Sequence, residues 1–401
     1  MSKAENIRLV EFIDENKIQL ITASKEIHSN PEIGNQEFFA QKTLGKVLED
    51  NNFIIEYGVA SHKTGFIAKK SSSKPGPKIA FLAEYDALPT IGHGCGHNLI
   101  GVASVGAGIG IGYLIEELGG EVYVFGTPSE EGGDNGSAKA TYVNKGLFNE
   151  IDAALMFHPG NGNFTTPNTI SVEPIDIEFF GKTAHAASAP EQGINALHAL
   201  IHFYNVLHSY QLSKFKDLNI HGVILDGGKA PNVIPDYARA RFYLRAKTSY
   251  ESKEAVEIIS KNILPGIDQT FGTKSKLTYF QNRVDHFILT PKFDELFGRI
   301  YEKLTSEKIY SNGSKSIGST DASNVSHVIP VIHPHLAIGD ASLTGHTIEF
   351  TNAAASDKGF DTLILASKLL GLTALELYKN PDSLYGIKEN WIEQKNIDTP
   401  I

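Results

Sequence analysis

Lys78-Ile-Ala-Phe-Leu-Ala-Glu84 is a short apolar run behind a Pro/Gly turn, and Glu121-Val-Tyr-Val-Phe-Gly126 is another. Each reads as a buried strand. Between them, Leu99 to Ile115 is uncharged and holds five glycines: Leu-Ile-Gly-Val-Ala-Ser-Val-Gly-Ala-Gly-Ile-Gly-Ile-Gly-Tyr-Leu-Ile. A membrane-spanning helix needs about 20 predominantly apolar residues. This run is shorter, and its glycines suit a buried helix lying close to neighbouring backbone. Ala153-Ala-Leu-Met-Phe-His158 reads as a third buried strand. Strands separated by helices predict an α/β fold, a mostly parallel sheet with helices on both faces. In such sheets functional residues collect in loops at the carboxyl ends of the strands.

On either side the chain stays ordered. Ile7 to Ile27 and Glu37 to Asp50 carry apolar residues at helical spacing, and Ser71-Ser-Ser-Lys-Pro-Gly-Pro77 predicts a surface turn between two strands. The middle changes character. Thr169 to Phe180 is a strand pattern, Gly193 to Gln211 a helix, and Asn219 to Asp226 and Tyr237 to Ala246 are strands. Tyr250 to Leu264 is a helix and Lys276 to Asn282 a strand, completing the β-α-β-β-α-β order of a ferredoxin-like unit. Then come a helix over Pro291 to Thr305, a strand over Val328 to His333 and a helix over Ala353 to Tyr378. The expected organisation is an α/β domain of residues 1–170 and 285–401, interrupted by an α+β domain of residues 171–284.

The length of 401 residues exceeds what one core usually supports, which agrees with two domains. With 46 acidic against 36 basic residues the formal net charge is −10, which argues against nucleic acid as a partner. Met1-Ser-Lys-Ala-Glu-Asn-Ile-Arg8 mixes both signs with no apolar stretch behind it, so no secretory signal is read there. The expectation is a cytoplasmic protein with no membrane partner. The single Cys cannot form an internal disulfide, whereas there are 15 His.

Four islands carry the chemistry. Glu84-Tyr-Asp-Ala-Leu-Pro-Thr-Ile-Gly-His-Gly-Cys-Gly-His-Asn98 gathers Asp86, His93, Cys95 and His97 with glycines between them. Thiolate plus imidazole suits Zn²⁺ or another borderline transition metal, and an incomplete set fits a catalytic ion with ligands from elsewhere. Thr127-Pro-Ser-Glu130-Glu131-Gly-Gly sets two adjacent carboxylates at a strand end, where a metal can take one while the other moves a proton. Met156-Phe-His158-Pro and Gly345-His346-Thr add one His each. Each island also has a plainer reading: a Gly-rich turn, a solvated acidic turn, a structural His. Their joint placement at strand ends and loops favours the metal. In the middle domain, His185 sits in a Gly/Ala/Pro-rich loop before a helix, where it can donate to an oxyanion.

In order, these islands resemble the co-catalytic metal hydrolases that include aminoacylases and carboxypeptidase G. The closer likeness is to the amidohydrolase branch, with p-aminobenzoyl-glutamate hydrolases and HmrA-type proteins. The likeness runs from His28-Ser-Asn-Pro-Glu-Ile-Gly through Ala83-Glu-Tyr-Asp-Ala-Leu-Pro, His93-Gly-Cys-Gly-His-Asn and Glu130-Glu-Gly-Gly. It continues through the His185 segment, Asn232-Val-Ile-Pro, Gly318-Ser-Thr-Asp321 and Gly345-His-Thr. It implies a zinc-exopeptidase-like catalytic domain and a lid and dimerisation domain. It further implies two divalent ions, Zn²⁺ or Mn²⁺, with Cys95 shared and His97, Glu131, His158 and His346 completing the set. Glu130 matches the general base. His185 matches a lid residue that reaches the active site of a second copy, and Asn232 one near the substrate carboxylate or oxyanion. Asp86, His93, Ser319 and Asp321 fall around the metals or substrate. Many relatives have Asp where this chain has Glu84 and Asn98, which shifts the subfamily.

The implied reaction is hydrolysis of an amide in a small carboxylate-bearing substrate: an N-acyl amino acid, an aminobenzoyl-glutamate or a dipeptide. A homodimer or dimer of dimers through the lid is implied with it. Two rivals remain: a cysteine hydrolase with Cys95 as nucleophile, and a non-catalytic metal-dependent binding or regulatory protein on a hydrolase fold.

Overall fold

A computed structural model describes residues 3–214, 217–311 and 318–398. Its strands are β1 (Ile54–Tyr57), β2 (Phe66–Ser71), β3 (Lys78–Ala83), β4 (Glu121–Gly126), β5 (Ala153–Leu155) and β6 (His158–Gly160). They continue as β7 (Ser171–Phe180), β8 (Asn219–Asp226), β9 (Tyr237–Ala246), β10 (Lys274–Tyr279), β11 (Val331–Ile332) and β12 (His335–Ala337). The chain forms two compact units, one of Met1–Asn168 with Phe287–Ile401 and one of Thr169–His286.

In the first unit the sheet order is β1-β2-β4-β3-β5-β11. β4, β3, β5 and β11 pair in parallel, and β1 and β2 add an antiparallel edge. Burial on both faces explains why the central strands read as continuous apolar runs. The helix His97–Leu118 is the apolar run between β3 and β4. It is long and apolar enough to cross a membrane by length and composition, yet lies almost wholly inside the unit. Its glycines set the spacing: a Cβ on Gly101 would stand 2.6 Å from the Glu84 carbonyl oxygen, and one on Gly108 2.5 Å from Val124 Cγ2. The helix Asp357–Lys379 packs on it.

Several boundaries differ from expectation, and three of them have a clear local reason. The stretch from Ile7 to Ile27 is two helices, Lys3–Glu15 and Lys17–Ser29, broken at Asn16, whose side chain donates to the Phe12 carbonyl. The expected strand over Val328 to His333 shrinks to β11, hemmed in by Pro330 and Pro334. The long helix starts at Asp357, where Ser356 Oγ accepts the Gly359 N–H at 3.1 Å and caps it; Ile348–Ala353 is a separate helix. A closing helix, Pro381–Asp398, adds to the expected elements.

The second unit has a four-stranded antiparallel sheet in the order β10-β7-β9-β8. With helices Ala196–Ser213 and Ser249–Ile258 between its strands, this is the ferredoxin-like arrangement. β9 alternates, so Ala238, Ala240, Phe242 and Leu244 face the helices. β8 is an edge strand carrying exposed Val223, Ile224 and Leu225.

Candidate metal centre

The site is assembled from loops at the carboxyl ends of β3, β4 and β5. After β3 the chain runs through buried Glu84, Asp86 and His93 to Cys95 and the start of the helix at His97. Gly96 makes that entry possible. Its φ is +76°, and a Cβ there would lie 2.6 Å from Pro159 Cγ. Asp86 ties two loops together: Oδ1 lies 3.0 Å from His97 Nδ1, and Oδ2 accepts the Glu131 N–H at 3.0 Å. The first contact directs the His97 Nδ1 proton to the carboxylate, leaving Nε2 buried with no hydrogen-bond partner.

After β4 the chain turns through Ser129 at φ 61° and Gly132 at 94°. Glu37, buried beneath, accepts the Ser129 N–H at 2.9 Å and the Thr64 hydroxyl at 2.6 Å. Burial and the neighbouring Asp86 push the Glu37 carboxyl up to about 7. This turn presents Glu130 and Glu131. His158, the first residue of β6 just beyond β5, has Nδ1 2.7 Å from the Pro159 carbonyl, which frees Nε2 to face Cys95 Sγ at 3.4 Å. His346, at φ 63°, donates its N–H to the Gly94 carbonyl at 2.8 Å and sets Nε2 3.5 Å from Glu131 Oε2. A non-glycine residue in that conformation is strained, a frequent mark of functional positions.

Two donor triads result. Cys95, His97 and His158 offer one ligand atom each, mutually within 4.8 Å, and so do Cys95, Glu131 and His346. Cys95 belongs to both. All five expected ligands are therefore brought together, and Glu130 joins His97 and Glu131 in a third such group. Burial pushes the Cys95 thiol well up, with Glu131 adding to it. Burial, Glu84 and Glu131 together push Glu130 well above the carboxylate range. Burial opposes charge on His97, but Asp86 and Cys95 carry it well above the usual imidazole value. A divalent cation relieves this crowding. His97 Nε2 and Glu131 Oε1, both buried without a hydrogen-bond partner, would hold it, and its charge would favour the Cys95 sulfur as thiolate. The mixed sulfur, nitrogen and oxygen donors fit such an ion.

Other expected residues stand around this set. His93 is buried, with Nε2 3.2 Å from the Ile27 carbonyl and its ring stacked on His28. Asp321 lies at the entry to the helix Ala322–Ser326, and half-buried Ser319 precedes it. In the second unit, the segments that carry His185 and Asn232 run side by side. His185 bridges to Val233, and the Ala186 N–H donates to the Asn232 carbonyl at 3.0 Å. His185 Nδ1 accepts the Ala187 and Ser188 N–H groups, each at 3.2 Å, which places its proton on Nε2.

Sequence reading missed two features. The His158 ring is backed by His335, stacked at 4.9 Å, and by His333, edge-on at 5.5 Å. Only their position around Pro334 hinted at that. Lys139 is fully buried, 2.6 Å from both Glu84 Oε1 and Asp321 Oδ1. A lysine near the start of a helix carried no signal for this.

Residues 175–265 match the family described as the peptidase dimerisation domain, M20_dimer. Human Xaa-Arg dipeptidase is 32% identical over 405 residues, covering 96% of this chain and 91% of that protein. A p-aminobenzoyl-glutamate hydrolase component of Escherichia coli is 32% identical over 274 residues, covering 62% of this chain and 55% of that protein. A Bacillus subtilis dinuclear metal-binding peptidase from the M20 family superposes with a TM-score of 0.66 at 20% identity, over 92% of this chain and 99% of that one. The aminobenzoyl-glutamate utilization protein of Klebsiella pneumoniae superposes with 0.71 at 17% identity, over 90% and 98%. Relatedness along nearly the whole chain, together with a donor set suited to a divalent ion, makes this protein a metal-dependent hydrolase of amide bonds in small substrates, and the chain belongs to the M20 family of metallopeptidases and amidohydrolases.

Proposed function

We propose that the protein is a dinuclear dipeptidase or aminoacylase acting on small amides with a free carboxylate. The observation that carries this reading is Cys95, which stands in both donor triads and so suits a ligand shared by two ions. Zn²⁺ is the first expectation and Mn²⁺ the second. His97, His158, Glu131 and His346 complete the ligands. When bound, such ions polarise the carbonyl and lower the pKa of a water toward ~7. Glu130 takes the proton of the attacking water as its oxygen bonds to the carbonyl carbon. It then delivers that proton to the leaving nitrogen as the C–N bond breaks. His185 offers Nε2–H to the developing oxyanion, where one donor is worth about 3–4 kcal/mol. Asn232, beside it, orients the substrate.

The name of the human relative supports a dipeptide as the first substrate class to try. The matched dimerisation domain and the exposed apolar edge of β8 support a homodimer through the second unit, with His185 serving a partner's site. The need to keep the Cys95 thiolate reduced supports a cytoplasmic location. The 3.4 Å approach of Cys95 to His158 also resembles a nucleophile and base, but both side chains are already taken by the donor triads. Dialysis against a chelator separates these readings. The metal reading predicts loss of dipeptide cleavage and recovery on metal addition; activity that survives chelation and falls on thiol alkylation contradicts it. Glu130→Ala should keep its metal and lose nearly all turnover, and near-normal turnover there removes the base assignment.

A further inference from the structure

We infer that Lys139 is a positioning residue for the hydrolytic site: a resident cation that holds Glu84 and Asp321 in place and keeps Glu84 from competing for the ligand set. This rests on the reading of Glu130 as the base. Glu84, Glu130 and Asp321 each present an oxygen within 4.8 Å of the other two, a grouping that could take a cation of its own. Three carboxylates that close repel one another unless a positive charge sits among them.

Lys139 supplies that charge. Its ammonium lies 2.6 Å from Glu84 Oε1 and 2.6 Å from Asp321 Oδ1, and its main-chain N–H donates to Asp321 Oδ2 at 3.1 Å. The side chain has no solvent exposure. A buried ion pair seldom adds stability over apolar packing, so its presence beside a reaction centre calls for another reason. Glu84 provides one. Its Oε2 lies 3.6 Å from His97 Nε2, nearer than Glu130 Oε2 at 3.8 Å or Glu131 Oε1 at 3.9 Å. An untethered Glu84 would be the carboxylate best placed to capture an ion at that nitrogen. With Oε1 anchored on Lys139, it stays a fixed wall, and Glu130 is left to move the proton. The chain delivers Lys139 on the segment that follows the Glu130 turn, which the Ser137 N–H closes onto the Ser129 carbonyl at 2.7 Å.

The test is the double variant Lys139→Met/Asp321→Asn, which keeps the formal charge of the cluster while removing the ammonium. The expected result is wild-type metal content and KM with kcat lower by about 100-fold, the scale of an ångström-sized misplacement. Wild-type kcat overturns the proposal, since charge balance would then suffice. Metal loss in proportion to activity also overturns it, since Lys139 would then serve the ligands alone. Lys139→Ala is the second variant: propylammonium should restore part of its kcat saturably, and a folded variant indifferent to the amine contradicts the assignment. Glu130→Gln, assayed in parallel, separates the two readings. Full activity there removes the base assignment; loss there with wild-type kcat in the double variant removes the Lys139 assignment alone.

Discussion

Asp86 Oδ1 lies 3.0 Å from His97 Nδ1, and this contact decides which imidazole nitrogen faces the donor triads. Replacing the carboxylate with an amide keeps the shape but weakens the hold on that tautomer. Asp86→Asn should lower divalent-metal affinity by about 10–100-fold with a parallel fall in kcat/KM. Competitive metal titration against a chromogenic chelator reads this directly. Unchanged affinity would show that His97 is oriented by other means.

Gly96 is the turn that brings Cys95 and His97 into one donor triad. Gly96→Ala imposes a left-handed strain of about 1–3 kcal/mol, with a methyl group 2.6 Å from Pro159 Cγ. A lower Tm and weaker metal binding should appear together. A variant that loses stability but binds metal normally would mean the turn relaxes away from the site.

His62 gives a pH signature independent of the metals. It is buried between Asn35 and Thr141, at 2.8 and 2.9 Å, and burial lowers its pKa to about 4. The unfolded chain binds a proton near pH ~6.5 and the native state only near 4, so stability falls as pH drops across that window. The loss amounts to roughly 3 kcal/mol at ~1.4 kcal/mol per unit, with no contribution above pH ~6.5. Urea unfolding at several pH values should give His62→Gln a flatter profile than wild type; equal slopes would contradict the assignment.

The exposed edge of β8 carries the dimer proposal. Ile224→Lys with Leu225→Lys puts charge on an edge suited to pairing, since both side chains are about half exposed, at 47% and 50%. Sedimentation should then report monomers with an unchanged circular dichroism spectrum. A dimer that survives both substitutions would move the interface elsewhere.

The fold was legible where burial is two-sided. β3, β4 and β5 are covered on both faces, so their sequences are largely apolar runs, and the ferredoxin-like unit announced itself through its β-α-β-β-α-β order. Helix breaks at Asn16 and Ser356 were not legible, because they depend on single side-chain hydrogen bonds. At the site, Cys95, His97, Glu131, His158 and His346 could be picked out as donor types at strand ends. The partnership of Asp86 with His97 and the ion pairs of Lys139 could not. They join residues from different loops, and a lysine buried by tertiary packing looks in sequence like any solvated one.

The central claim, metal-dependent amide hydrolysis through a thiolate shared by two ions, is tested most directly by metal analysis of the chain coupled to dipeptide and N-acyl-amino-acid hydrolysis before and after chelation. The account predicts two divalent ions per chain, activity lost on their removal and regained on their return, and a Cys95→Ser variant with reduced metal content. A metal-free protein that cleaves at the full rate, or a Cys95→Ser variant with both ions and full activity, would contradict it.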